Sequence, residues 1–242
     1  MKWIRYLRRL ERNKPDSIST VISYGIQRSG STLIYQALKQ VFPQANVIKT
    51  HDFIYHKDYK VVATYRDFRD VLISMWRTLL SKGTKENIAK VIRLTEPDIS
   101  SKQDFSSMTN EEVVERANWI KCHLSEVLDK YKEVDQHNVL WMQYELFYNN
   151  FDYIFSRLSS FFQICIDEGK KNKIKEDCSI EANRRRAYKL KDFSEYDPLT
   201  HIHGHHIYEG RVGFWKEFLT SEQKEISRTI LGSALERYGY EL

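Results

Sequence analysis

The chain has 242 residues, 41% hydrophobic and 13% aromatic, and it is sparse in glycine and proline, so it can bury a sizeable core and is neither disordered nor low in complexity. Its net charge of +5 suits an anionic ligand or substrate but falls well short of a dedicated nucleic-acid binder. Three scattered cysteines with no CxxC pair argue against a disulfide framework or a cysteine zinc site and point to a reducing cytoplasm, and no window approaches the ~18 apolar residues of a membrane span.

The first segment, MKWIRYLRRLERNKPD, interleaves Trp3, Ile4, Leu7 and Leu10 with basic residues. It lacks the continuous apolar stretch of a secretory signal and reads as a docked terminal helix, with a basic surface helix that touches membranes as the alternative. TVISYGI (20–26) then reads as a buried strand, and STLIYQALKQVF as a helix, with Leu33, Ile34, Ala37, Leu38 and Val41 at helical spacing. NVIKTH (46–51) and KVVATYR (60–66) are further strands; FRDVLISMWRTLL is a helix with Val71, Leu72, Met75 and Leu79 on one face. Residues 81–108 turn polar and weakly periodic, as a surface excursion or lid would. Thr109 with Glu112, and Thr220 with Gln223, fit capping boxes that open the helices of 109–131 and 220–238. NVLWMQYELF (138–147) is a fourth strand. Alternating strands and helices predict an α/β fold with a central parallel sheet flanked by helices, and no second core or long linker divides residues 1–242 into more than one domain.

Four stretches carry chemistry. GIQRSGSTL (25–33) lies between strand and helix and has the GxxxxG spacing of a phosphate-binding loop at Gly25 and Gly30. Glycines let the backbone approach an anion, and the amides of the helix's first turn can hold it. The lysine that reaches a nucleoside triphosphate is absent, because Ser31 and Thr32 follow Gly30. That argues against NTP hydrolysis or kinase chemistry, although a ligand-free tight turn would also explain the glycines. Lys49 and His51 sit two apart at a strand's carboxyl end, where they can supply a cation and a general base, or simply close a strand at the surface. Arg66, Asp70 and Ser74 combine a strand-end guanidinium with a helix hydroxyl, either as an anion site or as a surface Arg–Asp cluster with Arg69. YEGRVGFWKEF (208–218) brackets Arg211 between Gly210 and Gly213, either to wrap an anion or as a plain turn before the last helix.

In this order, RSGST, KTH, Arg-x-x-x-Asp-x-x-x-Ser and a late Gly-x-x-Gly-x-Trp resemble the cytosolic-type sulfotransferases, from about Val21 to the C-terminus. The resemblance implies a P-loop NTPase-like sulfotransferase architecture. It also implies transfer of a sulfonate from 3′-phosphoadenosine 5′-phosphosulfate (PAPS) to a hydroxyl or amine of a small molecule, a natural product for example, releasing 3′-phosphoadenosine 5′-phosphate (PAP) without a metal. By that resemblance Arg28, Ser29, Gly30, Ser31 and Thr32 cradle the 5′-phosphosulfate, while Arg66 and Ser74 grip the 3′-phosphate with Gly210 and Arg211 closing over it. Tyr144, in the strand QYELF, lies near the adenine; His51 is the base, with Lys49 and Arg28 facing the sulfonate. The segment Lys216–Glu225 echoes the family's homodimer signature, with Ser221 where valine is usual. Neither nucleic acid nor membrane is an expected partner.

Three positions depart from the family pattern: Arg28 replaces a lysine, Leu33 an aromatic, and Tyr208-Glu209 an Arg-Lys pair. Arg211, or Arg184, Arg185 and Arg186, could rebuild the lost contacts. The cluster His201, His203, His205 and His206 invites a metal but reads better as a polar loop near the site, lining the acceptor pocket. A P-loop kinase or NTPase, and a non-catalytic nucleotide-binding relative, remain the alternatives.

Overall fold

A computed structural model describes residues 18–81, 108–204, 207 and 210–242. The basic N-terminal helix, most of the 81–108 excursion, His205, His206, Tyr208 and Glu209 lie outside the described residues.

Four strands, β1 (Thr20–Gly25), β2 (Asn46–Thr50), β3 (Lys60–Tyr65) and β4 (Val139–Gln143), form one parallel sheet in the order β2-β1-β3-β4. Their side chains alternate between two buried layers. Ile22, Tyr24, Val61 and Ala63 face one core, which holds α2 (Phe68–Ser81), α3 (Asn110–Trp119) and α10 (Ser221–Arg237). Val21, Val62, Leu140 and Met142 face the other, with α1 (Ser31–Val41), α6 (Phe151–Phe162) and α7 (Glu168–Cys178). Burial on both faces explains why these strands read as near-continuous apolar runs. With all four strands parallel, their carboxyl ends share one edge, and β1 lies where the chain turns from β2 on one side to β3 on the other.

Both capping boxes form: Thr109 accepts from the Glu112 amide and Thr220 from the Gln223 amide, with the reciprocal bonds in place. The helix expected over 109–131 is continuous but widens into a π segment, Ile120–Ser125, before α4 (Glu126–Glu133). In that segment the Ser125 hydroxyl donates to the Lys121 carbonyl and competes with the backbone ladder. The strand expected over 138–147 divides: β4 ends at Gln143, and Tyr144 opens the one-turn α5 (Tyr144–Phe147). Tyr144 and Phe147 both bury in the second core. Residues three apart point to opposite faces of a strand but share a face of a helix, so the helix buries both.

After α7 come α8 (Ile180–Tyr188), the two-stranded hairpin β5 (Tyr196–Asp197) and β6 (Ile202–His203), and the single turn α9 (Trp215–Phe218). Gln36 of α1 donates to the Thr200 carbonyl at 2.9 Å and accepts from Asn183 of α8 at 3.0 Å, which fixes the hairpin beside the sheet's carboxyl edge. Among the described residues no helix is long and apolar enough to cross a membrane.

Candidate active site

A cavity of about 340 Å³ opens at the carboxyl edge of the sheet, and residues following all four strands line it. The loop after β1 is shaped from within. The Ser29 amide and hydroxyl both donate to the Ile26 carbonyl, at 3.2 and 2.7 Å, and the hydroxyl also meets Thr64 Oγ1 at 2.7 Å. At Gly25 a Cβ would stand 2.2 Å from Thr64 Oγ1 and 2.5 Å from Ser31 Cβ, so only glycine permits this close approach. Gly30 has φ 78° and caps α1 with no side-chain hydrogen bond. The Leu33 amide turns back to the Gly30 carbonyl at 3.0 Å, so the Ser31 and Thr32 amides are the ones of this first turn that can meet an anion. Arg28 also adopts the left-handed region (φ 69°), and its Nε donates to Ser74 Oγ of α2 at 2.7 Å.

His51 lies just past β2, and its Nδ1 is 2.6 Å from the Gly25 carbonyl. A carbonyl only accepts, so Nδ1 carries the proton and the lone pair is on Nε2. Burial, then the neighbouring Lys49, holds the imidazole below its ordinary pKa, against the pull of the Gly25 carbonyl and Asp52. Lys49 is itself lowered to about 8, by burial first and by Arg28 second. Both side chains line the cavity with Arg28.

Arg66, after β3, is 6% exposed. Its Nη2 donates to the Arg211 carbonyl at 2.7 Å and to Asp70 Oδ2 at 3.3 Å, and its guanidinium lies 4.4 Å from the centre of the Tyr144 ring. Tyr144 in turn donates to the Gly210 carbonyl at 2.7 Å. The buried Nε of Arg66 has no hydrogen-bond partner among the described residues, and a donor so placed can serve a ligand. Asp70, 2% exposed, ties the late loop down: Oδ2 accepts from the Gly213 amide at 2.8 Å and Oδ1 from the Trp215 amide at 3.0 Å. Burial pushes its carboxyl above the ordinary value despite Arg66 and these two amides.

A sulfotransferase domain matches the chain over residues 43–239. The chain belongs to that family. Among solved structures, this sulfotransferase is similar to mouse sulfotransferase SULT7A1 complexed with PAP, with a TM-score of 0.58 and 14% identity over 96% of this chain and 92% of that one. It is also similar to retinol dehydratase in complex with retinol and PAP (TM-score 0.58), and in complex with androsterone and inactive cofactor PAP (TM-score 0.54). Both of those are 14% identical over 95% of this chain and 84% of theirs. At such identity the likeness establishes the fold. None of the curated proteins matches the chain by sequence.

The sulfotransferase cavity thus brings together Arg28, Gly30, Ser31, Thr32, Lys49, His51, Arg66, Ser74, Tyr144, Gly210 and Arg211, and leaves Ser29 behind the loop. The Arg–Asp cluster splits in two. Arg66 and Asp70 line the cavity, whereas Arg69 is buried behind it, paired with Asp67 at 2.8 Å and packed 3.7 Å from the centre of the Trp215 ring. Arg184, Arg185 and Arg186 do not reach the wall; Arg186 serves the Asp177 carbonyl and Asn183. His203 does line the cavity, stacked on Phe193 at 4.7 Å, and His201 instead packs edge-on against Tyr35. No cluster of metal-ligating side chains occurs among the described residues. In the sequence Asp70 stands out only as a neighbour of Arg66; its two amide bonds come from a loop about 140 residues away and cannot be read from the spacing.

Proposed function

We propose that the protein transfers a sulfonate group from PAPS to a hydroxyl or amine of a small molecule and releases PAP. The observation that carries this reading is the meeting, at one sheet edge, of an anion loop without a triphosphate lysine, the cations Arg28, Lys49, Arg66 and Arg211, and a histidine whose Nε2 is the basic nitrogen. The donor fits two features of the wall: the first turn of α1, uncapped by any side chain, and the buried Nε of Arg66, unpartnered among the described residues. The donor's contribution is a sulfonate already joined to a phosphate leaving group.

The amides of Ser31 and Thr32, with Gly30 and the Arg28 guanidinium, hold the 5′ end, and Ser29 shapes the loop. Arg66, Ser74, Gly210 and Arg211 hold the 3′-phosphate, and Tyr144 stands near the adenine. His51 Nε2 takes the proton of the attacking hydroxyl or amine. Lys49 and Arg28 stabilise the negative charge that gathers where the bond breaks. No lysine occupies the Walker position because no γ-phosphate has to be reached.

In this reading the whole chain works as one sulfotransferase domain, and its free cysteines suit a cytoplasmic setting. Any homodimer would form through Lys216–Glu225. Incubation with PAPS and a panel of small phenols, alcohols and amines, with PAP release as readout, tests the function. Acceptor-dependent PAP release supports it, and magnesium-dependent ATP turnover in its place would return the loop to the nucleotide kinases.

A further inference from the structure

The parallel ladder between β3 and β4 closes at the pair Tyr65 and Gln143. Beyond it the two chains part, β3 toward α2 and β4 into the one-turn α5. Yet the next residue of each, Arg66 and Tyr144, meets the other on the cavity wall, with guanidinium and ring centre 4.4 Å apart. Glu145 spans the gap from behind that wall. Its Oε1 accepts from the Asp67 amide at 2.9 Å, and its Oε2 accepts from the Tyr240 hydroxyl at 2.9 Å. A side-chain carboxylate thus does what a strand carbonyl would do one step further along the ladder.

Both ends of this link are anchored. Asp67 caps α2 by accepting from the Arg69 amide at 2.9 Å, and α2 carries Asp70 and Ser74 to the wall. Tyr240 follows α10, and its amide donates to the Leu235 carbonyl at 2.9 Å. The adjoining Glu241 carbonyl accepts from Arg69 Nη2 at 2.7 Å, so residues 240 and 241 grip the start of α2 twice. A carboxylate serving two separate segments out of water is costly to leave half-bonded, which makes the link a stiff one.

We propose that Glu145 is a positioning residue for the donor: by joining Asp67 to Tyr240 it fixes where Arg66 leaves β3, and so sets the affinity for the 3′-phosphate. The proposal rests on the PAPS reading above, in which Arg66 holds that phosphate. Tyr144 keeps its own bond to the Gly210 carbonyl, so the effect falls on Arg66 and spares the adenine end. Calorimetric titration with PAP and with adenosine 5′-monophosphate, which lacks only the 3′-phosphate, tests it. Glu145→Ala should weaken PAP binding about 10-fold and leave the monophosphate within about threefold. Glu145→Gln keeps an oxygen for the Asp67 amide and a polar group for Tyr240, and should restore most of the PAP affinity. Tyr240→Phe deletes one hydroxyl and should give the same selective loss at about two- to fivefold. Thermal melts show which variants are folded; a merely structural role would lower Tm and take both nucleotides down together. Equal loss for both, or no loss for PAP, overturns the role of Glu145 and leaves the donor reading standing. Should Glu145→Ala fail to fold, Tyr240→Phe decides by the same outcomes. If the wild-type protein fails to prefer PAP to the monophosphate, the donor reading fails and this proposal with it.

Discussion

The chemistry of single residues turns on which atoms are already spoken for. His51 has Nδ1 committed to the Gly25 carbonyl, so His51→Ala should lower turnover by about 10²–10⁴-fold while PAP affinity stays within a few-fold. Lost affinity with normal turnover would remove His51 from the base role. The two depressed pKa values set a bell-shaped profile. His51 must be neutral, so kcat/KM should fall as pH drops through a value below the ordinary 6.5 of histidine. Lys49 must be protonated, so kcat/KM should also fall as pH rises through about 8. Because kcat/KM reports the free enzyme, these limbs belong to the unliganded site. Lys49→Arg should move the alkaline limb upward; an unmoved limb would assign it to another group. Ser29 and Thr32, two hydroxyls of one loop, should behave differently. Ser29→Ala removes two internal bonds and should cost about 1–2 kcal/mol of stability with PAP affinity little changed. Thr32→Ala, on the cavity wall, should do the reverse.

At the scale of elements, α2 is the organising piece, because one helix carries Asp70, Ser74 and Arg77 to the cavity. Asp70→Asn nearly preserves the side chain's shape but removes the charge that serves Arg66 and two loop amides. It should weaken PAP binding about 10-fold and speed hydrogen exchange at Gly213 and Trp215, a change that mere loss of charge near the ligand would not produce. Much of this level was legible in the chain. The four strands, the glycine loop and both capping boxes are local signals, written within a few residues of where they act. Other elements were not. The helix α7 buries little beyond Ile174 and Cys178, so its charged sequence carries almost no periodic signal. α6, with Ile154, Phe155, Leu158 and Phe162 buried at helical spacing, does carry a local periodic signal. The end of β4 at Gln143 depends on where Phe147 finds its core, and a ten-residue apolar run cannot announce that.

For the whole molecule, the parallel sheet explains why residues from positions 28 to 211 can act together: every strand delivers its carboxyl end to the same edge. The motifs' order along the chain made this convergence foreseeable, whereas the Asp70 latch, a contact between distant segments, had to come from the fold. A site assembled from so many segments should couple binding to global stability. At one hundred times its Kd, PAP should add about 2.7 kcal/mol, seen as a clear rise in Tm. The most direct test of the central claim is calorimetric titration with PAP beside ADP and magnesium, two adenosine nucleotides with the same number of phosphates placed differently. A PAPS-dependent sulfotransferase should bind PAP tightly and ADP with magnesium weakly. Preference for ADP with magnesium would contradict that assignment.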